Sequence, residues 1–229
     1  MSIMRYFRQF SHNVTMLGGG AVTPQTLAQC LQLAPDLVAA DGGADQALEL
    51  GHMPVAVAGD MDSVSDRARK TIGADRFIET PDQNRTDFHK TLDLIDAPLV
   101  LGVGFMGKRL DHELACYNTL VRLPEKRVIL VGEVDICFHL SRPLKMSLPV
   151  GTRFSLFPMA QVTVQATGLV WPVEDLQMSP WGMIGTSNET NAPGVTVAAD
   201  GPGLLVILPR AHLKDAIAAL TTGGDATEA

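Results

Sequence analysis

Two aspartates stand one residue apart in Gly59-Asp60-Met61-Asp62-Ser63, directly after the apolar run Val55 to Ala58. Side chains at i and i+2 of an extended segment point the same way, so this spacing holds two like charges close together. A divalent cation relieves both their repulsion and the cost of burying them. Mg²⁺ suits such a pair, because it takes one or two carboxylates and fills its remaining positions with waters and substrate phosphates. The competing account is an Asx turn whose second Asp caps the next helix; it explains one aspartate well and the other poorly. A second acidic segment, Asp82-Gln83-Asn84-Arg85-Thr86-Asp87, leads into a helical pattern. Thr86 as N-cap with Asp87 in the first turn is ordinary helix chemistry. It acquires a metal-binding sense only by lying on the same rim as Asp60 and Asp62.

Glycine-rich strand ends supply the other chemistry. In Ala40-Asp41-Gly42-Gly43-Ala44 an acidic residue ends a strand, and paired glycines admit a close approach of backbone or ligand. With Gly18-Gly19-Gly20 they form a candidate phosphate cradle, tight strand-to-helix turns being the alternative. Gly102-Val103-Gly104-Phe105-Met106-Gly107-Lys108-Arg109 satisfies both G-x-G-x-x-G and G-x-x-x-x-G-K. The first falls too late in the α/β pattern for a dinucleotide fingerprint, and the second offers Arg109 where Mg²⁺ needs Ser or Thr. What survives is a glycine-rich turn before a helix, with Lys108 and Arg109 as cations and Asp111-His112 at the helix start. Gly185-Thr186-Ser187-Asn188-Glu189, a polar cluster within apolar β sequence, reads locally as a hairpin turn. Trp171 and Trp181 flank it, each able to stack on a flat ring if exposed.

These residues need a scaffold that brings them together. Strands are predicted over Val14–Leu17, Leu37–Ala40, Val55–Ala58, Arg76–Glu79, Pro98–Val103 and Arg127–Val131. Helices are predicted between them: from Thr23-Pro24, over Ala44–Leu50, Asp66–Ile72, Asp87–Ile95 and Asp111–Leu123. Such alternation implies a mostly parallel sheet with helices on both faces, and ligands at the carboxyl ends of its strands. Asp41, Asp60 and the Gly102 to Asp111 segment all fall at such ends. From about Val134 the texture changes to short β runs: Ile136–Leu140, Phe154–Phe157, Val162–Gln165, Val195–Ala198 and Leu204–Leu208, then a terminal helix over Ala211–Leu220 and a polar tail. The expected organisation is an α/β domain over 13–132 and a smaller antiparallel β-sandwich over 133–220.

The 229 residues are 46% hydrophobic and 19% charged, ample for a core, and carry a net charge of −7. An acidic chain has no electrostatic reason to seek a nucleic-acid backbone. Cys30, Cys116 and Cys137 form no CxxC pair, and no apolar run reaches the ~20 residues of a membrane span. The first twelve residues have no signal-peptide core, so a cytoplasmic location is expected.

Asp41-Gly42-Gly43-Ala44, Gly59-Asp60-Met61-Asp62-Ser63, Asp82-Gln83-Asn84-Arg85-Thr86-Asp87, Arg109-Leu110-Asp111-His112 and Ser187-Asn188-Glu189 occur in the order seen in thiamine pyrophosphokinases. Gly168-Leu169-Val170-Trp171 also resembles that family's stretch ahead of its Ser-Asn-Glu segment. The resemblance runs from about Val14 to Pro209. It implies an N-terminal domain binding ATP and Mg²⁺, a C-terminal β-sandwich, and a homodimer with thiamine near the subunit interface. It further implies metal-side carboxylates at Asp60, Asp62 and Asp87, and a nucleotide and substrate pocket lined by Asp41, Gln83, Arg109 and Asp111. Ser187, Asn188 and Trp171 would meet the thiamine rings. Gly42, Gly43, Thr86, Gly107, Lys108 and His112 complete the candidate binding residues. The sequence departs from the family pattern at Lys108, often glycine, at Asp45, commonly Asn, and at Met61, usually Phe. The implied reaction carries the pyrophosphoryl group of ATP to thiamine's hydroxyethyl oxygen, with Asp87 or Asp111 as proton acceptor. Two alternatives stand beside it: a nucleotide-dependent transferase acting on another small alcohol, and a non-catalytic nucleotide or thiamine sensor.

Overall fold

A computed structural model describes residues 8–82 and 84–221. Gln83, the polar tail after Thr221 and the first seven residues lie outside the described residues. The chain divides into two compact units: residues up to Thr119 with Leu130–Glu133, and Leu120–Ile129 with the residues from Val134 onward.

In the first unit, β1 (Arg8–Gln9) precedes β2 (Val14–Leu17), and α1 (Pro24–Leu33) leads to β3 (Asp36–Ala40). Thr23 caps α1 by accepting a hydrogen bond from Thr26 N, and Pro24 occupies the first helical turn, where its missing N–H costs nothing. Next come α2 (Gly43–Glu49), β4 (Ala56–Gly59), α3 (Asp66–Ile72) and β5 (Phe77–Glu79). They are followed by α4 (Asp87–Asp93), β6 (Ile95–Asp96) and β7 (Val100–Val103), then by α5 (Leu110–Arg122) and β8 (Val128–Val131), whose residues are divided between the two units. Ser65 caps α3 and Thr86 caps α4. Strands β7-β2-β3-β4-β5 lie side by side in that order, all parallel. Strands β2, β4 and β7 are buried at every position, as expected for a parallel sheet covered on both faces. Successive strands step from β2 to β5 in one direction, whereas β7 lies on the other side of β2. The strand order therefore reverses between β2 and β7, and the carboxyl ends at such a reversal are where open α/β sheets bind ligands. The predicted last helical residue, Ile95, instead joins β6 and pairs with Arg8 of β1.

The second unit is antiparallel β structure. Its strands are β9 (Asp135–His139), β10 (Leu144–Ser147), β11 (Arg153–Pro158), β12 (Val162–Thr167), β13 (Val173–Met178), β14 (Gly185–Glu189), β15 (Gly194–Ala199) and β16 (Leu204–Pro209), followed by α6 (Leu213–Thr221). One sheet has the order β10-β15-β12-β13, and the strands β14-β11-β16-β9 form another antiparallel run. The segment Gly185–Glu189, read locally as a turn, is thus a strand paired with β11. The three strands the sequence pattern misses or misreads, β10, β13 and β14, all end a strand order. β10 alternates buried and exposed residues over only four positions, and adjacent polar residues in β13 and β14 interrupt the apolar pattern that marks a strand. Among the described residues no helix is long and apolar enough to cross a membrane.

Candidate active site

The acidic residues converge at the carboxyl ends of the parallel sheet. Asp41 follows β3, Asp60 follows β4, and Asp87 begins α4; each offers a carboxylate oxygen, and all three atoms lie within 4.8 Å of one another. Asp41 is buried, with φ of 44°, a left-handed conformation uncommon for a residue with a side chain. Its N–H donates to Ala58 O at 2.8 Å and its Oδ1 accepts from Ser63 N at 3.4 Å. Burial pushes its carboxyl above the ordinary value, the Asp87 charge adds to that rise, and the Ser63 hydrogen bonds oppose it.

At the centre of the cluster lies a residue that sequence reasoning missed. Lys90, 3% exposed, places its ammonium 3.1 Å from Asp60 Oδ2 and 2.7 Å from Asp87 Oδ1. Its position three residues after Asp87 on α4 puts the two side chains on one helix face. For Asp60, burial is the largest influence and acts upward, yet the hydrogen bonds from Lys90 and from Asp62 N hold the carboxyl below its ordinary value. For Lys90, burial acts downward, but the Asp87 and Asp60 carboxylates prevail and hold the ammonium above its ordinary value. The Lys90 ammonium is thus the close charged partner of Asp87 Oδ1, itself a buried atom.

Asp62 does not join this group of three. The i, i+2 argument requires an extended segment, but Met61 has φ of 66°, which breaks it. Asp62 is exposed, its Oδ1 accepting from Ser63 Oγ at 3.0 Å and its N–H donating to Asp60 Oδ1 at 3.4 Å. Met61 itself is buried with Ala39, Ala44, Val57, Val64, Ala68 and Ile72, the apolar role that the family's Phe would also serve. Asp45 accepts from both the N–H and the hydroxyl of Ser65, tying α2 to the cap of α3.

The glycine-rich segments pack primarily against backbone. A Cβ on Gly43 would stand 2.1 Å from Leu17 O, so no other residue fits where α2 leaves β3. Gly42 caps α2 without such a conflict. At the β2/β7 reversal, Gly18 N donates to Val103 O at 2.9 Å and Gly20 N to Gly104 O at 2.8 Å. Gly107 follows with φ of 78°, its N–H bonded to Glu113 Oε2 at 2.7 Å, and Tyr117 holds the other oxygen of Glu113 at 2.6 Å. Lys108 has φ of 65°, and its ammonium reaches Gly19 O at 3.1 Å. That conformation explains why glycine suits the position in the family. Arg109 grips Asp111 with two hydrogen bonds, 3.2 and 2.6 Å, and these hold the Asp111 carboxyl below its ordinary value. His112 is exposed beside it. Thr86 is engaged as the α4 cap.

In the second unit, Asn188 is buried and its carboxamide is fully committed. Oδ1 accepts from Trp171 N at 3.1 Å and Glu189 N at 2.8 Å, while Nδ2 donates to Trp171 O at 2.9 Å. Asn188 therefore fixes the Trp171 backbone and leaves the indole 58% exposed. Ser187, at φ 59°, is exposed, and its N–H is held by Ser155 Oγ at 3.0 Å. Among the described residues, four of the five non-glycine residues with positive φ, namely Asp41, Met61, Lys108 and Ser187, lie in segments singled out for chemistry. Strained backbone concentrates at functional sites.

A carboxylate cluster and glycine-rich loops on the carboxyl edge of a parallel α/β sheet, followed by an antiparallel β unit, define a two-domain phosphotransferase. Residues 27–131 match the family model "Thiamin pyrophosphokinase, catalytic domain" and residues 141–204 match "Thiamin pyrophosphokinase, vitamin B1 binding domain". The chain belongs to the thiamine pyrophosphokinase family. It is 27% identical over 197 residues to thiamine pyrophosphokinase 1 of Oryza sativa subsp. japonica, covering 71% of this chain and 75% of that protein. It is 28% identical over 182 residues to thiamine pyrophosphokinase 3 of the same plant, covering 70% and 68%. The fold is similar to that of thiamin pyrophosphokinase from Candida albicans, with a TM-score of 0.74 at 18% identity over 89% of this chain and 93% of that one. Yeast thiamin pyrophosphokinase gives a TM-score of 0.72 at 15% identity over 93% of each chain.

Proposed function

We propose that this chain transfers the pyrophosphoryl group of ATP to the hydroxyethyl oxygen of thiamine, forming thiamine diphosphate and AMP. Beyond family membership, one observation carries the reading: the carboxylates of Asp41, Asp60 and Asp87 meet within 4.8 Å at the carboxyl edge of a parallel sheet. The donor set consists of hard carboxylate oxygens, the ligand chemistry that Mg²⁺ prefers. The residues therefore fit Mg²⁺, with Asp60 and Asp87 as its principal ligands, Asp41 beside them, and Asp62 acting on Asp60 through its N–H. Bound there, Mg²⁺ would supply charge neutralisation for the phosphate oxygens.

The nucleotide is assigned to the β2/β7 reversal and its rim. Gly42, Gly43 and Gly107 allow a close backbone approach there, and Lys108 and Arg109 supply positive charge, with Thr86 and His112 completing the rim. In the transfer, the thiamine oxygen bonds to the β-phosphorus and the bond from that phosphorus to the α,β-bridging oxygen breaks. AMP leaves with the electron pair, and the alcohol proton passes to a carboxylate. That acceptor is Asp87 or Asp111, the latter engaged in two hydrogen bonds from Arg109. Trp171, fixed by Asn188 and flanked by Ser187, offers its exposed indole to the thiamine rings. A homodimer belongs to the same proposal: Val170, Trp171, Trp181, Met183 and Ile184 are large apolar side chains exposed close together in sequence. So does a cytoplasmic location, with which three buried cysteines that form no disulfide accord.

Purified protein with Mg²⁺, ATP and thiamine is expected to release AMP, and Asp60→Asn and Asp87→Asn each to slow release by about a hundredfold or more. AMP release by both variants at the wild-type rate would overturn the metal assignment. Release with other alcohols but not with thiamine would overturn the substrate.

A further inference from the structure

Among the described residues, Lys90 is a buried cation set inside the carboxylate cluster, and nothing in the proposed chemistry requires a fixed positive charge where Mg²⁺ must bind. Its side chain is 2% exposed, and its ammonium lies 3.1 Å from Asp60 and 2.7 Å from Asp87. Two half-buried carboxylates this close, with side chains 17% and 34% exposed, repel each other when no counter-charge stands between them. A resident cation holds them together when no metal is present. The same cation repels an arriving divalent ion and occupies one oxygen of Asp60 and one side of Asp87. Both effects act in one direction: they stabilise the metal-free site and weaken its grip on free Mg²⁺.

We propose that Lys90 is a positioning residue that keeps Asp60 and Asp87 assembled without metal and lowers the site's affinity for free Mg²⁺, so that the ion enters with the nucleotide's phosphates instead of residing in the protein. The nucleotide's own negative charge then outweighs the ammonium's repulsion, and Asp60 and Asp87 meet an ion already carried by phosphate. The inference rests on the assignment of Mg²⁺ to this cluster.

The test is Mg²⁺ titration of full-length protein without nucleotide, followed by calorimetry and by thermal unfolding in EDTA and in Mg²⁺. Lys90→Met, similar in length and uncharged, is expected to unfold at a lower temperature than wild type in EDTA and to gain more from Mg²⁺. It is expected to bind free Mg²⁺ at least about tenfold more tightly, or about 1.4 kcal/mol. Equal or weaker Mg²⁺ binding by the variant, with wild type binding normally, would overturn the role of Lys90 and leave the metal site standing. Absence of Mg²⁺ binding in both, even with ATP present, would overturn the metal assignment and the Lys90 role with it. Should Lys90→Met fail to fold, the wild type decides. The Lys90 ammonium resonance, observed by ¹⁵N NMR, is expected to shift along the Mg²⁺ titration, and an unchanged resonance while Mg²⁺ binds would overturn the proposal.

Discussion

Replacing Asn188 by alanine separates a residue that positions from one that contacts. The Asn188 carboxamide is 5% exposed at the residue level and makes three hydrogen bonds to backbone, at 3.1, 2.9 and 2.8 Å. Alanine removes all three and strands the N–H and carbonyl of Trp171. At roughly 0.5–1.5 kcal/mol per bond, with some return from water at the Trp171 side, the loss comes to about 2–3 kcal/mol. Trp171→Ala removes an indole that is 58% exposed, so its cost in stability is below about 1 kcal/mol. Urea denaturation of the two variants should therefore separate them, whereas steady-state kinetics should unite them: both raise the KM for thiamine while sparing the KM for ATP. The reasoning is refuted if Asn188→Ala unfolds within about 0.5 kcal/mol of wild type, or if Trp171→Ala proves the less stable of the two.

Lys108→Gly should relieve the left-handed strain at φ 65°, about 1 kcal/mol for a residue with a side chain, at the cost of an exposed bond to Gly19 O. Stability in urea is expected to be unchanged or slightly higher, and the KM for ATP to rise through loss of the cation. A folded-state histidine should set the acid limit of stability. His139 is buried, its Nε2 accepts from Gly203 N at 3.0 Å and its Nδ1 has no partner, and burial holds its pKa below 6.5. The unfolded chain takes up this proton below about pH 6.5 and the folded chain does not. The contribution is therefore complete above that pH and is lost as pH falls, by at most about 1.4 kcal/mol per pH unit. Thermal unfolding from pH 7.5 to 5 should show the decline, and His139→Asn should flatten it.

Much of the scaffold was legible because parallel strands are buried on both faces and helices declare their caps. Thr23-Pro24 and Thr86 mark two helix starts by local chemistry alone. The end strands β10, β13 and β14 were not legible, since β10 is only four residues long and adjacent polar residues interrupt the alternation in β13 and β14. In the site, the spacing of Asp60 and Asp62 misled because one left-handed residue, Met61, undoes the alternation that spacing assumes. The glycines of Gly42-Gly43 and Gly18-Gly20 were readable as sites of close approach. Which backbone approaches, Leu17 O for Gly43 and Gly104 O for Gly20, depends on strand order. Lys90 was hidden because a lysine three residues after an aspartate on a helix is commonly a solvated pair. Only the meeting of β3, β4 and α4 makes it an internal ion.

The proposed reaction transfers an intact pyrophosphoryl group to thiamine at this site. The most direct measurement supplies ATP labelled with ³²P at the β-phosphorus, together with thiamine and Mg²⁺, and follows the products by chromatography. The label is expected in thiamine diphosphate, with one AMP formed for each. Label retained in ADP with thiamine monophosphate formed, or label released as free pyrophosphate with thiamine unchanged, would contradict it.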